Sequence, residues 1–196
     1  MDELGWIAPD VWVAHAIHFD DEVRRLGQAG TGVAHCPSSN CRLGSGIARV
    51  VDLTAAGAPV GLRVDGPASN EIGGLLPELR MALFRARQRD LGSTTFQPAD
   101  ALRLATEGGA RCLGRDDIGR LAPGHRADLV VWPGDDLADV LDPLAGLVLG
   151  PERHARHVLV DGQYVVRDGR LLGADMDALR RDLARRARRL WPEDAR

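Results

Sequence analysis

Apolar and polar positions alternate along the first half of the chain in a repeating rhythm. VWVAH (11–15) is a short, β-branched apolar run preceded by Pro9. DDEVRRLGQAG (20–30) follows, with acids first, apolar Val23 and Leu26, and glycines last. Acids at the start suit the positive end of a helix dipole, so this segment predicts a short helix. TGVAH (31–35) is a second strand pattern, GIARVVDLTAAG (46–57) a second helix closed by Gly57, and PVGLRVD (59–65) a third strand. GLLPELRMALFRARQRDLG (74–92) carries Leu76, Leu79 and Leu83 on one helical face. Three strand–helix units in a row predict right-handed crossovers and a parallel sheet.

The rhythm changes after residue 92. QPADALRLATEGGARCLG (97–114) predicts another amphipathic helix, with Pro98 in its first turn. DIGRLAPGHRADLVVW (117–132) reads as two turns and a strand. HVLVDGQYVVRDGRLL (157–172) holds strands around Asp161-Gly162, a hairpin signal, and a second Asp-Gly at 168–169. DMDALRRDLARRARRL (175–190) predicts an arginine-rich terminal helix with a thin apolar face, interleaved with Asp177 and Asp182. The expected organisation is a strand–helix part at 1–116, a β-rich part at 117–174 and a helix at 175–196.

The three predicted parallel strands end in His15, His35 and Asp65. Singly, each has an ordinary structural reading, since a histidine at a strand end is more often a hydrogen-bonding group and an Asp before Gly66 opens a turn. Jointly they point to chemistry, because catalytic groups of parallel α/β folds collect at the C-terminal ends of strands. His18 lies just beyond its strand and is read as structural, and His125, His154 and His157 as surface residues. Cys36 and Cys41 flank Pro37-Ser38-Ser39-Asn40 with no second pair, so they read as loop or core thiols.

Composition narrows the classes. The chain has 196 residues, 44% hydrophobic and 27% charged, which is ordinary globular composition. A formal net charge of -3, with aromatics at 4%, predicts no nucleic-acid surface, and the arginine-rich end does not reverse that. Three irregularly spaced cysteines predict reduced thiols and a cytoplasmic setting, and no apolar run long enough predicts a membrane span.

The stretches VAHAIHFDD, GVAHCPSSN, LGSGIARV, VDGPASNE and GGARCLGRDDIGRLAPGHRADLVVW resemble the amidohydrolase superfamily, in its branch of zinc-dependent purine and triazine aminohydrolases. The resemblance covers nearly the whole chain. It implies an α/β fold: the C-terminal part, about strands six to eight, of a TIM-like (β/α)8 metal-dependent hydrolase barrel, with part of a small β-sandwich domain. It implies hydrolytic deamination of a purine-like ring, 8-oxoguanine first, with guanine, S-adenosylhomocysteine-type and hydroxy-s-triazine rings as alternatives. Asp65 matches the strand-eight aspartate that binds the metal and shuttles a proton, and His15 the strand-six histidine that helps activate water. His35, Ser69 and Asn70 match positions near the substrate pocket. The implied cofactor is one zinc per complete site, with iron(II) the alternative.

Two departures qualify that expectation. The family's strand-one His-x-His pair, and its strand-five histidine with a following glutamate, have no counterpart before residue 11. Catalytic zinc takes three protein ligands, so this chain is expected to need the polypeptide carrying the others, or a homo-oligomeric arrangement, and to be inactive alone. Arg63 stands where the family places a glycine, two residues before Asp65. In a regular strand the two side chains share a face, so Arg63 is expected to pair with Asp65 and oppose metal binding. That favours an alternative reading, a non-catalytic remnant or an interaction protein using its sheet edges.

Overall fold

Steric and hydrogen-bonding demands shorten the apolar runs into three strands: β1 (Trp12–Ala14), β2 (Gly32–His35) and β3 (Val60–Leu62). The computed structural model describes residues 1–191. The strands form a parallel sheet in the order β1-β2-β3, with Trp12 opposite Gly32 and His35 opposite Leu62. β1 and β3 are the two margins of that sheet. Helices α1 (Glu22–Ala29), α2 (Pro37–Leu43), α3 (Val50–Ala55) and α4 (Leu75–Asp90) alternate with the strands. Helix α1 ends at Gly30 in left-handed conformation, as the sequence suggests.

Two features depart from the pattern reading. The second expected helix is only Val50–Ala55, and α2 occupies a segment that reads as a loop. Pro37 at its first turn and left-handed Gly44 at its end define α2, although Ser38, Ser39 and Asn40 are poor helix formers. The helix expected at 97–114 is α5 (Pro98–Arg103), a π-helical turn (Leu104–Gly108) and α6 (Gly109–Cys112). The π turn lies where Gly108 meets β3, since a Cβ there would stand 2.0 Å from the Val60 carbonyl oxygen.

The chain divides into two compact units. The first comprises Met1–Arg126 with Gly134–Arg153, and includes α7 (Pro143–Leu149), a helix absent from the sequence reading. Its core gathers Leu26, Val33, Leu53, Val60, Leu62, Leu79 and Leu83, all buried. Fully burying one such side chain contributes about 1.5–3 kcal/mol, which is why the short strands hold. The second unit comprises Ala127–Pro133 with His154–Arg196. In it β4 (Leu129–Val131), β5 (His157–Val160), β6 (Gln163–Arg167) and β7 (Arg170–Leu171) form an antiparallel sheet in that order. Asp161-Gly162 and Asp168-Gly169 make its two tight turns, all four residues at positive φ. Helix α8 (Met176–Leu190) begins at Asp175, whose carboxylate accepts from the Asp177 and Ala178 amides. No helix among the described residues is long and apolar enough to cross a membrane.

Candidate active site

Beyond the last residue of β1 the backbone turns sharply, with His15 at φ 68° and Ala16 at φ 48°. The His15 amide still donates to the Ala34 carbonyl at 2.9 Å, so the ring is thrown off the strand end at a fixed point. Beyond β3, Asp65 also has left-handed φ, 67°. Non-glycine residues held in this region cluster at active sites and ligand clamps, where surrounding structure over-determines them. The two side chains converge across the sheet, His15 Nε2 lying 3.8 Å from Asp65 Oδ2.

Helix α2, directly after β2, and the loop after β3 supply the contacts that hold both groups. Ser39 Oγ donates to Asp65 Oδ2 at 2.6 Å, and Ser69 Oγ donates to the same oxygen at 3.1 Å. The Ser39 hydroxyl first, then the Gly66 amide, Ser69 and His15, hold the Asp65 carboxyl below the usual carboxylate range. His15 Nδ1 is 2.8 Å from Asn40 Oδ1. Cys36 Sγ lies near both, since one ligand atom each of His15, Cys36 and Asp65 fall within 4.8 Å of one another. Burial first, and then the Asp65 charge, push the Cys36 thiol up to about 11, so it is a protonated thiol at neutral pH. The groups that converge here are the His15 imidazole, the ionised Asp65 carboxylate and the buried Cys36 thiol, and the first two make a set that fits zinc once further ligands join. A cavity of about 360 Å³ lies beside His15, lined also by His18, Phe19, Asn40 and Ser45 among others.

A second network braces α2 and the loop after β3. Glu78 of α4 is 1% exposed. Its Oε2 accepts from the Ser38 amide at 3.1 Å and its Oε1 from Asn70 Nδ2 at 2.8 Å. The first turn of α2 and the loop after β3 are thus pinned to one buried carboxylate.

Three expectations require correction. Asn70, expected near the substrate pocket, is buried, and its amide donates inward to Val64 O and Glu78. His35 is 2% exposed and shares its face of β2 with Val33, in the core, rather than opening toward a ligand. Burial first, with the nearby His15, lowers its pKa to about 4, so it is a neutral core histidine. Arg63 does not pair with Asp65. β3 ends at Leu62, and the Arg63 guanidinium is exposed, 5.4 Å from the centre of the Trp12 ring. Ser69, by contrast, reaches Asp65 directly. Pattern reading did not single out Ser39, Asn40 or Glu78. The signal for the first two was a polar cluster directly after a buried strand.

The profile of the Amidohydrolase family matches residues 1–165. The chain belongs to the amidohydrolase family. It is 50% identical over 182 residues to 8-oxoguanine deaminase of Pseudomonas aeruginosa, covering 91% of this chain and 40% of that protein. It is 37% identical to an isoxanthopterin deaminase of an unknown prokaryotic organism, covering 97% of this chain and 43% of that protein. Its fold superposes on a zinc-bound adenosine deaminase of Xanthomonas campestris with a TM-score of 0.91 at 30% identity, covering 96% of this chain and 44% of that structure. It likewise superposes on the zinc complex of the atrazine chlorohydrolase TrzN of Arthrobacter aurescens, with a TM-score of 0.87 at 34% identity, over 94% of this chain and 42% of that one. The chain thus spans about two fifths of the length of these relatives. The α/β unit is the C-terminal part of a TIM-like amidohydrolase barrel, about strands six to eight.

Proposed function

We propose that this chain supplies the C-terminal share of a zinc-dependent active site that hydrolytically deaminates an aminated purine-like ring, with 8-oxoguanine the first candidate. The observation that carries the reading is the approach of His15 to Asp65, two side chains from separate strand ends brought to 3.8 Å. Both stand in the left-handed region, which non-glycine residues adopt uncommonly. The relative at 50% identity, an 8-oxoguanine deaminase, supports the choice of ring, and the zinc-bound relatives support the metal.

Deamination needs a nucleophilic water and a route for its proton to the departing amine. Zinc, when bound, supplies Lewis acidity and brings the pKa of a water near 7. His15 and Asp65 are the residues of this chain that would hold or flank it. Ser39, Gly66 and Ser69 keep Asp65 ionised, with its lone pairs free; its carboxylate would take a proton from the attacking water, made acidic enough by the metal, and return it to the leaving nitrogen. His15 Nε2 stands beside that carboxylate and orients the water. Ser69 holds Asp65 at the loop, and the cavity beside His15 gives a flat ring room to stack on Phe19. The remaining ligands come from a polypeptide carrying the rest of the barrel, whether joined to this one or separate. The alternative of a non-catalytic chain drew on an Arg63–Asp65 pair, and that support disappears with Arg63 placed over Trp12.

The test is ammonia release from 8-oxoguanine, guanine, isoxanthopterin and S-adenosylhomocysteine, with zinc content measured in parallel. The expected result is turnover only when the chain is combined with a barrel half carrying His-x-His, preferentially on 8-oxoguanine. Turnover by the single chain overturns its dependence on outside ligands. Absence of turnover by a zinc-loaded, complemented enzyme on every ring overturns the deaminase reading.

A further inference from the structure

Asn40 is an unusual residue to find buried in α2. It is 3% exposed, and its Nδ2 has no hydrogen-bond partner among the described residues. Leaving a buried amide donor unpaired costs about 1–3 kcal/mol, a cost that a leucine of similar size would avoid. Local rules broken without a stabilising return are characteristic of functional positions. The one side-chain hydrogen bond Asn40 makes among the described residues is to His15, Oδ1 to Nδ1 at 2.8 Å, across 25 residues of sequence.

That contact has a chemical consequence. An amide oxygen only accepts, so Nδ1 of His15 carries the proton and donates it. The other ring nitrogen, Nε2, is then left with its lone pair, and Nε2 is the atom facing Asp65. We propose that Asn40 is a positioning residue for His15: it fixes the plane of the imidazole and keeps the proton on Nδ1, so that the nitrogen presented beside Asp65 is the basic one. The inference rests on the deaminase reading only for its effect on rate, because ring orientation and tautomer belong to this chain by itself. A hydrogen bond to the far nitrogen is a general means of fixing which nitrogen of a site histidine is free.

Heteronuclear correlation spectra of the chain labelled with 15N-histidine test this at one alkaline pH, about 8.5, where an ordinary histidine of pKa about 6.5 is neutral. The expected spectrum shows His15 protonated at Nδ1 and bare at Nε2. Asn40→Leu should lose that pattern for a mixture of tautomers, and Asn40→Asp, which keeps an acceptor oxygen, should retain it. In the complemented enzyme Asn40→Leu should lower kcat about 10- to 100-fold, the range for partners that orient site residues, with KM within about twofold. A His15 ring protonated at Nε2 in the parent chain overturns the proposal, as does an Asn40→Leu chain with unaltered tautomer and kcat. Should Asn40→Leu fail to fold, the parent spectrum and the Asn40→Asp comparison still decide. An inert complemented enzyme with an Nδ1-protonated ring would remove the deaminase reading and leave the Asn40 assignment standing. An active enzyme with an Nε2-protonated ring would do the reverse.

Discussion

Burial of His35 should cost this chain stability in mild acid. The ring is 2% exposed, and neither of its nitrogens has a partner among the described residues. Its pKa is lowered from 6.5 to about 4 in the folded chain, by burial first and then by His15. Between those values the unfolded chain binds a proton that the folded chain does not, so stability rises with pH across the window. The contribution is whole above about pH 6.5 and lost as pH falls toward 4. At 1.36 kcal/mol per pH unit, the gap amounts to about 3 kcal/mol. The assay is urea denaturation followed by circular dichroism from pH 7.5 to 4.5, on the parent and on His35→Leu. Other histidines titrate in both proteins, so the difference between the two curves isolates His35. His35→Leu should match or exceed the parent in acid and lose that advantage toward neutrality, the difference moving by about 2–3 kcal/mol. Parallel curves would refute the argument, because a buried neutral imidazole cannot be indifferent to protons over that range.

Removing the buried brace should loosen α2 and the loop after β3 at once. Glu78→Ala deletes two buried hydrogen bonds, leaves the Ser38 amide without its acceptor, and should cost about 3 kcal/mol in urea denaturation, with faster proteolysis between residues 65 and 72. A cost under about 0.5 kcal/mol would show that the network is dispensable. Arg63→Gly should change stability by less than about 1 kcal/mol and leave zinc content of the complemented enzyme unchanged, since the guanidinium lies on Trp12. A gain in zinc would place Arg63 back at the metal. Gly108→Ala sets a methyl group 2.0 Å from the Val60 carbonyl oxygen and should cost more than about 2 kcal/mol, read as a lowered Tm. An unchanged Tm would mean that the π turn can slide off β3.

Much of the site was legible because apolar runs stop at ionisable side chains. His15 and Asp65 declare themselves in that way, and the structure brings them together. His35 follows the same rule and differs, for a reason also written in the sequence. It stands two residues from Val33, and period-two alternation carries it to the core face. Arg63 was misplaced by extending that alternation too far, because β3 stops at Leu62 and the backbone at Asp65 is left-handed. Asn70 and Glu78 find each other only through tertiary packing of α4, which no local pattern encodes. The parallel strands and the Asp-Gly turns were readable from short-range chemistry. Helix α2 was not, because Pro-Ser-Ser-Asn composition argues for a loop and its partners come from the loop after β3 and from α4.

Two consecutive left-handed residues, His15 and Ala16, close the end of β1. For an L-residue that conformation costs roughly 1–2 kcal/mol, and glycine would occupy it without strain. At position 15, then, durability and chemistry pull in opposite directions: the tougher polypeptide is the one without an imidazole. A lineage selected in the laboratory for heat tolerance alone, with no demand for turnover, should drift toward glycine at residue 15 before it touches the apolar interior.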